Sequence, residues 1–123
     1  MVMCKGLGLD LCEIARMEKL LGDDRFLSRY FTPVETDYIR SRGRGAAQSM
    51  AGIFAAKEAL SKALGSGIDF DLREAEIVHD EKGRPFYALS GSLKERLGDD
   101  LLFLSISHDA GFAAAVCLRE SAA

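Results

Sequence analysis

The sequence predicts an α+β domain in which an antiparallel sheet packs on one long helix. Three observations support this prediction. An Ala- and Leu-rich amphipathic stretch covers residues 46–64 and is long enough for a central helix. Apolar segments at 75–79, 85–89, 101–107 and 112–118 form two predicted hairpins. A chain of 123 residues is large enough for one core but not for two, so we expect one domain over residues 1–123.

The first elements are predicted to be a short strand followed by helices. Residues 2–9 are apolar and contain glycines, which favours a strand. A helix is predicted over 13–21 and ends at Gly22, and a second short helix covers 25–30.

The next two helices have strong terminal signals. Thr32 is a favourable N-cap, Pro33 suits the first helical position, and Glu35 completes a capping box. This helix is expected to stop near Arg42. The long helix follows, and Gly65 is its predicted C-terminal cap.

The second half is predicted to be rich in strands. Gly83 lies in the turn of the first hairpin, and Pro85 places the following strand at an edge or at its own first residue. Ser92 and Glu95 form a second predicted capping box, with Gly98 ending that helix. The last hairpin is almost continuously apolar, so both of its faces should be covered by a helix layer or by another subunit.

Composition excludes several classes of protein. Apolar residues make up 48% and charged residues 28% of the chain, which is ordinary for a soluble protein. No apolar run is long enough to span a bilayer, and we expect no export signal. The net charge of −3 and the lack of nucleic-acid-binding motifs disfavour a nucleic-acid partner.

The three cysteines, Cys4, Cys12 and Cys117, show no close spacing. An odd, dispersed set suits a reducing cytosol and does not supply the clustered ligands of a zinc site. We expect Cys4 and Cys117 to be small core residues. A cysteine nucleophile paired with a histidine stays an alternative that no neighbouring residue supports.

Charge is unevenly distributed along the chain. Residues 40–62 are mainly basic and residues 69–81 are mainly acidic. A locally basic region on an acidic protein indicates an anionic ligand or an acidic partner, because local potential steers encounters more than net charge does.

The predicted long helix carries a candidate site. Glu58 and Lys62 are four residues apart, so they share one helix face at roughly 6 Å along the axis. Ser61 and Gly65 lie near the same face. A carboxylate can hold a hard cation and an ammonium can hold a phosphate. The alternative is an ordinary solvated ion pair on a surface helix.

Two further segments are candidates for the same site. Asp10 falls where the first strand is expected to end, and the alternative role is an N-cap for the helix that follows. Ser107 and His108 end the strand over 101–107, where hydroxyls, imidazole and loop amides can bind an anion. The alternative for this pair is local turn chemistry.

Taken together, these motifs resemble a known family. Gly-Leu-Asp ending at Asp10, Phe-Ala-Ala-Lys-Glu-Ala over 54–59 with Lys62, and Ser-Ile-Ser-His over 105–108 are similar to the bacterial holo-[acyl-carrier-protein] synthases. These are short 4′-phosphopantetheinyl transferases. The resemblance covers residues 3–118, which is nearly the whole chain.

The resemblance implies an enzyme with a 4′-phosphopantetheinyl transferase-like fold. It implies a cytoplasmic homotrimer with active sites between neighbouring subunits. The implied substrates are coenzyme A and apo acyl carrier protein, and the implied products are the modified carrier protein of fatty acid biosynthesis and adenosine 3′,5′-bisphosphate.

Within this resemblance, Asp10 and Glu58 are the expected Mg²⁺ ligands, because one Asp and one Glu without soft ligands suit this ion. Lys62 would contact the pyrophosphate and stabilise the leaving oxygen. The sequence leaves open whether Asp10, Glu58 or a metal-bound water takes the serine proton. Ser107 and His108 would hold coenzyme A phosphates, and Gly65 would admit the nucleotide to the helix end. Lys57 ranks below Lys62 as a catalytic group.

Arginines are the expected carrier-protein contacts. Arg16 is the first candidate and Arg25 and Arg29 extend its patch, although each could be an ordinary exposed arginine. One departure from the family is Ile53, where members often carry a basic residue. Arg42 or Arg44 could compensate from a neighbouring subunit.

Two other functions remain as alternatives. One is a different Mg²⁺-dependent phosphoryl or nucleotidyl enzyme that uses the same three residues. The other is a non-catalytic module that binds coenzyme A or a carrier protein. His79 lies in a predicted strand beside acidic residues, and we expect it to be structural.

Overall fold

The computed structural model describes residues 3–122. The first half forms β1 (Cys4–Glu13), α1 (Ile14–Leu20), α2 (Asp24–Tyr30), α3 (Pro33–Arg40) and α4 (Ala46–Leu64). The second half forms β2 (Ala75–His79), β3 (Pro85–Leu89), α5 (Gly91–Leu97), β4 (Leu101–Asp109) and β5 (Phe112–Glu120). Single 3-10 turns cover Gly43–Gly45 and Leu72–Glu74. The predicted α+β class with antiparallel strands is confirmed.

The strands form two antiparallel sheets. The larger has the order β1-β5-β4, so the N-terminal strand lies beside the C-terminal one, and the smaller consists of β2 and β3. Asp10 lies opposite Ala115, which in turn lies opposite Ile106 on the far strand. The two edge strands of the larger sheet are therefore separated by β5.

Helix α4 is the centre of the core. It packs against β1, β5 and α1, and 14 of its residues are buried. Met50, Ile53 and Leu60 are at most 1% exposed, and Phe54 is 7% exposed. These four residues are core residues.

Strong local signals set several boundaries as predicted. Helix α4 has the expected limits, and Gly65 ends it with a φ of 78°. The first hairpin, β2–β3, also has the expected limits. At the start of α3, the Glu35 N–H donates to Thr32 Oγ1 at 3.2 Å and the Thr32 N–H donates to Glu35 Oε1 at 2.9 Å. The predicted capping box is confirmed.

The predicted end of the first strand is wrong. Strand β1 continues to Glu13, because every residue from Gly6 to Glu13 pairs with β5, and Val2 lies outside the described residues. Asp10 therefore lies inside the strand. It is not the N-cap of α1, whose N-cap position is Glu13.

The predicted capping box at Ser92 is also wrong. Helix α5 begins at Gly91 with Ser90 at its N-cap position. The Glu74 carboxylate accepts hydrogen bonds from the Ser92 and Leu93 N–H groups at 3.2 and 3.3 Å. The first turn is thus capped by a residue distant in sequence, which local patterns do not reveal.

The last hairpin is longer than predicted, and within one chain only one of its faces is covered. Strand β4 reaches Asp109 and β5 reaches Glu120, and each alternates between more and less buried residues. One face packs on α4. The opposite face of the sheet exposes large side chains, including Leu7, Leu9, Leu11 and Phe103, at 44–64%.

Residues 3–122 contain no helix that is both long and apolar enough to cross a membrane.

Candidate active site

Two glycines allow β1 to lie unusually close to α4. A Cβ atom on Gly8 would overlap the Ala59 carbonyl oxygen, and one on Gly6 would overlap the Ala63 carbonyl oxygen. β1 and α4 run in opposite directions, because Gly6 meets Ala63 whereas Gly8 meets Ala59. Two strand residues advance about 6.7 Å and four helix residues about 6 Å, so this match continues along both elements.

The close approach brings Asp10 to the face of α4 that carries Lys62. Asp10 points to the same side of β1 as Gly6 and Gly8, because alternate strand residues share a face. The Lys62 Nζ lies 3.0 Å from Asp10 Oδ1 and 2.9 Å from the Leu9 carbonyl oxygen. The Asp10 side chain is 17% exposed and that of Lys62 is 53% exposed. The predicted association of these two residues is present in a single chain.

Glu58 belongs to the same cluster. Burial raises the pKa of Glu58, and the negative charge of Asp10 raises it further, while Lys62 and Arg16 act in the opposite direction. A like charge raises a carboxyl pKa only when it lies nearby. Asp10 and Glu58 are therefore near enough for their charges to interact, and the Lys62 ammonium acts on Glu58 as well.

The donor set of this pair fits a hard divalent cation. Mg²⁺ commonly takes one or two protein carboxylates and completes its shell with water and substrate phosphate. Residues 3–122 contain no group of three or more His, Cys, Asp or Glu side chains arranged to hold a metal. The arrangement thus suits an ion shared with a phosphate ligand better than a closed protein cage.

The residues next to Glu58 on α4 have structural contacts. Lys57 points away from the cluster and is fully buried in an ion pair with Glu35. The Ser61 hydroxyl donates to the Glu58 carbonyl oxygen at 2.6 Å. Gly65 is exposed, with open space where a Cβ would lie, so its positive φ is what requires glycine within one chain.

Ser107 and His108 do not lie where the sequence predicted. Both are inside β4 and not at its exit, because pairing with β5 continues to Asp109. Consecutive strand residues point to opposite faces, so the two side chains diverge. His108 lies beside the start of α4, with its Nε2 atom 2.9 Å from Gln48 Nε2. Ser107 is exposed.

His108 lines a pocket of about 260 Å³ next to α4. Its other walls include Gln48, Ile53, Pro85 and His79. The His79 ring stacks on Tyr38 with centroids 4.0 Å apart and planes at 9°. Burial, followed by the charge of Arg42, lowers the pKa of His79. No local sequence pattern links these residues, because only the tertiary fold brings α3, α4 and the two hairpins together.

In one chain this pocket and the carboxylate cluster occupy different sides of the molecule. The cluster adjoins β1 and the pocket adjoins β4, which are opposite edges of the sheet. With neighbouring strands about 4.8 Å apart, the two edges are separated by about 10 Å. A single chain therefore does not bring Ser107 or His108 onto Asp10.

The three predicted arginines lie on one surface beside the cluster. The Arg16 guanidinium lies 5.6 Å from the centroid of Phe54, and that of Arg29 lies 5.4 Å from the centroid of Tyr30. The Tyr30 and Phe54 rings are 6.0 Å apart. Arg25 and Arg29 line one shallow cavity with Tyr30. We name Arg16, Arg25, Arg29 and these two aromatic rings the arginine surface.

The buried cysteines are poor nucleophiles. Burial raises the pKa of Cys12 and of Cys117 to about 11, so both are neutral thiols at neutral pH. Cys117 is in the core as predicted, but Cys4 is exposed, so its assignment to the core is wrong. Its edge position at the start of β1 explains the exposure.

Comparison with known proteins gives a consistent result. The family model of the 4′-phosphopantetheinyl transferase superfamily matches residues 6–117. The holo-[acyl-carrier-protein] synthase of Treponema denticola is 43% identical over 123 residues, which covers 96% of this chain and 99% of the relative. That of a Geobacter species is 42% identical over 125 residues, with coverage of 96% and 99%.

Solved structures agree. The Bacillus anthracis synthase in complex with CoA (3′,5′-ADP) has a TM-score of 0.83 and 36% identity, and the match covers 98% of this chain and 99% of that one. The Neisseria meningitidis synthase has a TM-score of 0.85 and 30% identity, with coverage of 97% and 100%. The chain therefore belongs to the 4′-phosphopantetheinyl transferase superfamily, among its holo-[acyl-carrier-protein] synthases.

Proposed function

We propose that this chain transfers the 4′-phosphopantetheine group from coenzyme A to a serine of an apo acyl carrier protein and releases adenosine 3′,5′-bisphosphate. The reaction requires Mg²⁺ and supplies carrier protein for fatty acid biosynthesis in the cytoplasm. The observation that carries the proposal is the cluster of Asp10, Glu58 and Lys62, in which an ammonium lies 3.0 Å from one carboxylate and beside the other.

Asp10 and Glu58 would hold the magnesium ion, which when bound offsets the negative charge that spreads over the pyrophosphate. Lys62 is half exposed, so its ammonium can turn from Asp10 to a phosphate oxygen at little cost. The serine oxygen forms a bond to the β-phosphorus, and the bond from that phosphorus to the bridging oxygen breaks. Lys62 stabilises this leaving oxygen and can donate a proton to it.

The serine proton must pass to a base. The raised pKa of Glu58 makes its carboxylate a better proton acceptor than an ordinary glutamate. Asp10, which lies 3.0 Å from the Lys62 ammonium, is the competing acceptor. The raised pKa of Glu58 therefore favours Glu58, directly or through a water molecule.

The nucleotide end of coenzyme A would lie in the pocket that His108 lines, with Ser107 and Gly65 as further contacts in the assembly. Because this pocket and the cluster adjoin opposite sheet edges, a complete site needs two subunits. The exposed apolar sheet face around Leu7 and Phe103 gives the chain a surface for self-association. These features support a homotrimer with active sites between neighbouring subunits.

The arginine surface would receive the carrier protein. Arg16 lies close enough to the cluster to influence the pKa of Glu58, so a serine presented here would be near the carboxylates. Guanidinium groups resting on aromatic rings are oriented before binding, which suits an acidic partner.

The decisive experiment is mass spectrometry of an apo acyl carrier protein incubated with coenzyme A, Mg²⁺ and the purified chain. Phosphoryl transfer to serine adds the phosphopantetheine group, a mass increase of about 340 Da. Asp10→Ala and Glu58→Ala should abolish the increase in a folded protein, and Lys62→Ala should slow it. Binding of coenzyme A without any mass increase would favour the non-catalytic module. Neither binding nor transfer would favour a different phosphoryl enzyme.

A further inference from the structure

A buried ion pair that the proposed reaction does not use lies directly behind the cluster. Lys57 Nζ lies 2.9 Å from Glu35 Oε1, and both side chains are completely inaccessible to solvent. The same ammonium donates to the carbonyl oxygens of Leu72 at 2.7 Å and Ala75 at 2.9 Å. All three N–H donors of Lys57 are therefore used, each toward a different partner.

Glu35 is held as completely as its partner. Its Oε1 atom accepts from the Thr32 N–H at 2.9 Å, and its Oε2 atom accepts from the Ile77 N–H at 2.7 Å. Through these bonds the pair connects the start of α3, the middle of α4 and the strand β2. Among residues 3–122, no buried polar side-chain atom lacks a hydrogen-bond partner, so this network is fully satisfied.

Stability alone does not account for a charged pair at this depth. Burial raises the pKa of Glu35 and lowers that of Lys57. The free-energy cost of removing each charge from water is larger than the stabilisation by the opposite charge of its partner. Well-packed apolar residues of similar volume often stabilise a core as well as a buried ion pair does. Apolar residues cannot fix the orientation of neighbouring elements through directional bonds. The four hydrogen bonds from the pair to backbone groups do so.

The orientation that these bonds impose on Lys57 also affects Glu58, the next residue in the sequence. Glu58 follows Lys57 and projects about 100° around the helix from it. On its other side, Ala59 is in contact with Gly8 of β1. One residue before the pair, the Ala56 carbonyl oxygen accepts from the Tyr87 hydroxyl at 2.6 Å. The turn that carries Glu58 is thus fixed on both sides, before it by β3 and the ion pair and after it by β1.

We propose that the Lys57–Glu35 pair is a positioning device that sets the rotation of α4, so that Glu58 faces Asp10 at the distance needed to share one cation. Lys57 and Glu35 are positioning residues, because neither touches the reacting atoms. This inference rests on the metal role that the proposed function gives to Glu58. It predicts that loss of the pair weakens metal binding in a protein that is still folded.

The test measures binding of Mn²⁺, a spectroscopic substitute for Mg²⁺ at carboxylate sites, to the purified protein in the absence of substrates. Lys57→Met keeps the length of the side chain and removes its charge. Removal of groups that orient metal ligands typically costs 10- to 100-fold in affinity, so we expect Mn²⁺ affinity to fall by roughly ten-fold. In turnover, the Mg²⁺ concentration for half-activation should rise while KM for the carrier protein stays unchanged.

Two further variants make the outcome decisive. Leu93→Ala removes a core side chain from α5 and should lower the melting temperature without changing Mn²⁺ affinity. If Lys57→Met does not fold, Glu35→Gln, which keeps the size of the side chain, decides the question in the same way. The inference is overturned if the folded variant binds Mn²⁺ like the wild type, or if Leu93→Ala weakens binding equally.

Glu58→Gln separates this inference from the proposed function. Unchanged Mn²⁺ affinity in Glu58→Gln removes the metal role of Glu58 and the inference that depends on it. Weakened affinity in Glu58→Gln together with normal affinity in Lys57→Met overturns the positioning role alone.

Discussion

Gly8 lies against the carbonyl oxygen of Ala59, at a separation that leaves no room for a Cβ atom. This contact sets how closely β1 approaches α4, and therefore how near Asp10 comes to Glu58 and Lys62. A backbone contact between two small residues thus determines the geometry of the charged cluster.

Replacing Gly8 with alanine should damage the site more than it damages the fold. The added methyl group must push β1 from α4, and overpacking of this kind costs about 1–3 kcal/mol. We expect a melting temperature several degrees lower and a near-complete loss of transfer. Gly22→Ala is the matched control, because a Cβ there meets nothing within 4 Å. Full activity of Gly8→Ala would show that the site tolerates a wider spacing.

On acidification, metal binding should weaken at a higher pH than it would if Glu58 had the pKa of an ordinary glutamate. Burial and the charge of Asp10 raise the pKa of Glu58, and a protonated carboxyl does not bind the cation. The positive charge of Arg16 lowers this pKa, so Arg16→Gln should move the loss of affinity to higher pH. Titration of Mn²⁺ binding between neutral and mildly acidic pH checks this. Lys94→Gln, at an exposed position of α5, is the control and should leave the curve in place.

Charge reversal on the arginine surface should affect the carrier protein and not the nucleotide. For Arg16→Glu we expect KM for the carrier protein to rise on the order of ten-fold, because attraction to an acidic partner becomes repulsion. The effect should shrink at high salt. Steady-state kinetics at fixed, saturating coenzyme A measure it, with Lys94→Glu as the matched reversal elsewhere. Equal KM values in the two variants would remove Arg16 from the docking surface.

A charge on the open sheet face should disrupt assembly and activity together. Leu7 is 64% exposed in a single chain, and Leu7→Glu would place a carboxylate in the proposed subunit interface. Light scattering should report monomers, and transfer should be lost because the proposed site is built from two subunits. Val34→Glu alters a residue that is 55% exposed on α3, away from this face, and should remain trimeric and active. An active Leu7→Glu monomer would contradict the shared site.

Elements with strong local signals could be predicted from the sequence. The limits of α4 follow from its apolar periodicity and from Gly65, and the start of α3 follows from Thr32, Pro33 and Glu35. Both depend on contacts within a few residues along the chain, which the sequence displays directly.

Elements that depend on distant partners could not be predicted in this way. The first strand runs past Asp10 because β5 pairs with it, and the first turn of α5 is capped by Glu74 and not by Ser92. Ser107 and His108 lie within β4 for the same reason. Hydrogen bonds between segments far apart in sequence leave no local pattern, so boundaries that depend on them are missed.

The sequence by itself determined the family and the candidate groups, since the order and spacing of the motifs at Asp10, Glu58 and Lys62 are those of the family. Only the tertiary structure decided how those groups meet. The Lys62–Asp10 ion pair joins residues 52 positions apart and depends on glycines that let a strand touch a helix backbone. The buried Lys57–Glu35 pair could not be predicted from the sequence either, because the burial and orientation of side chains depend on the packed fold and not on adjacent residues.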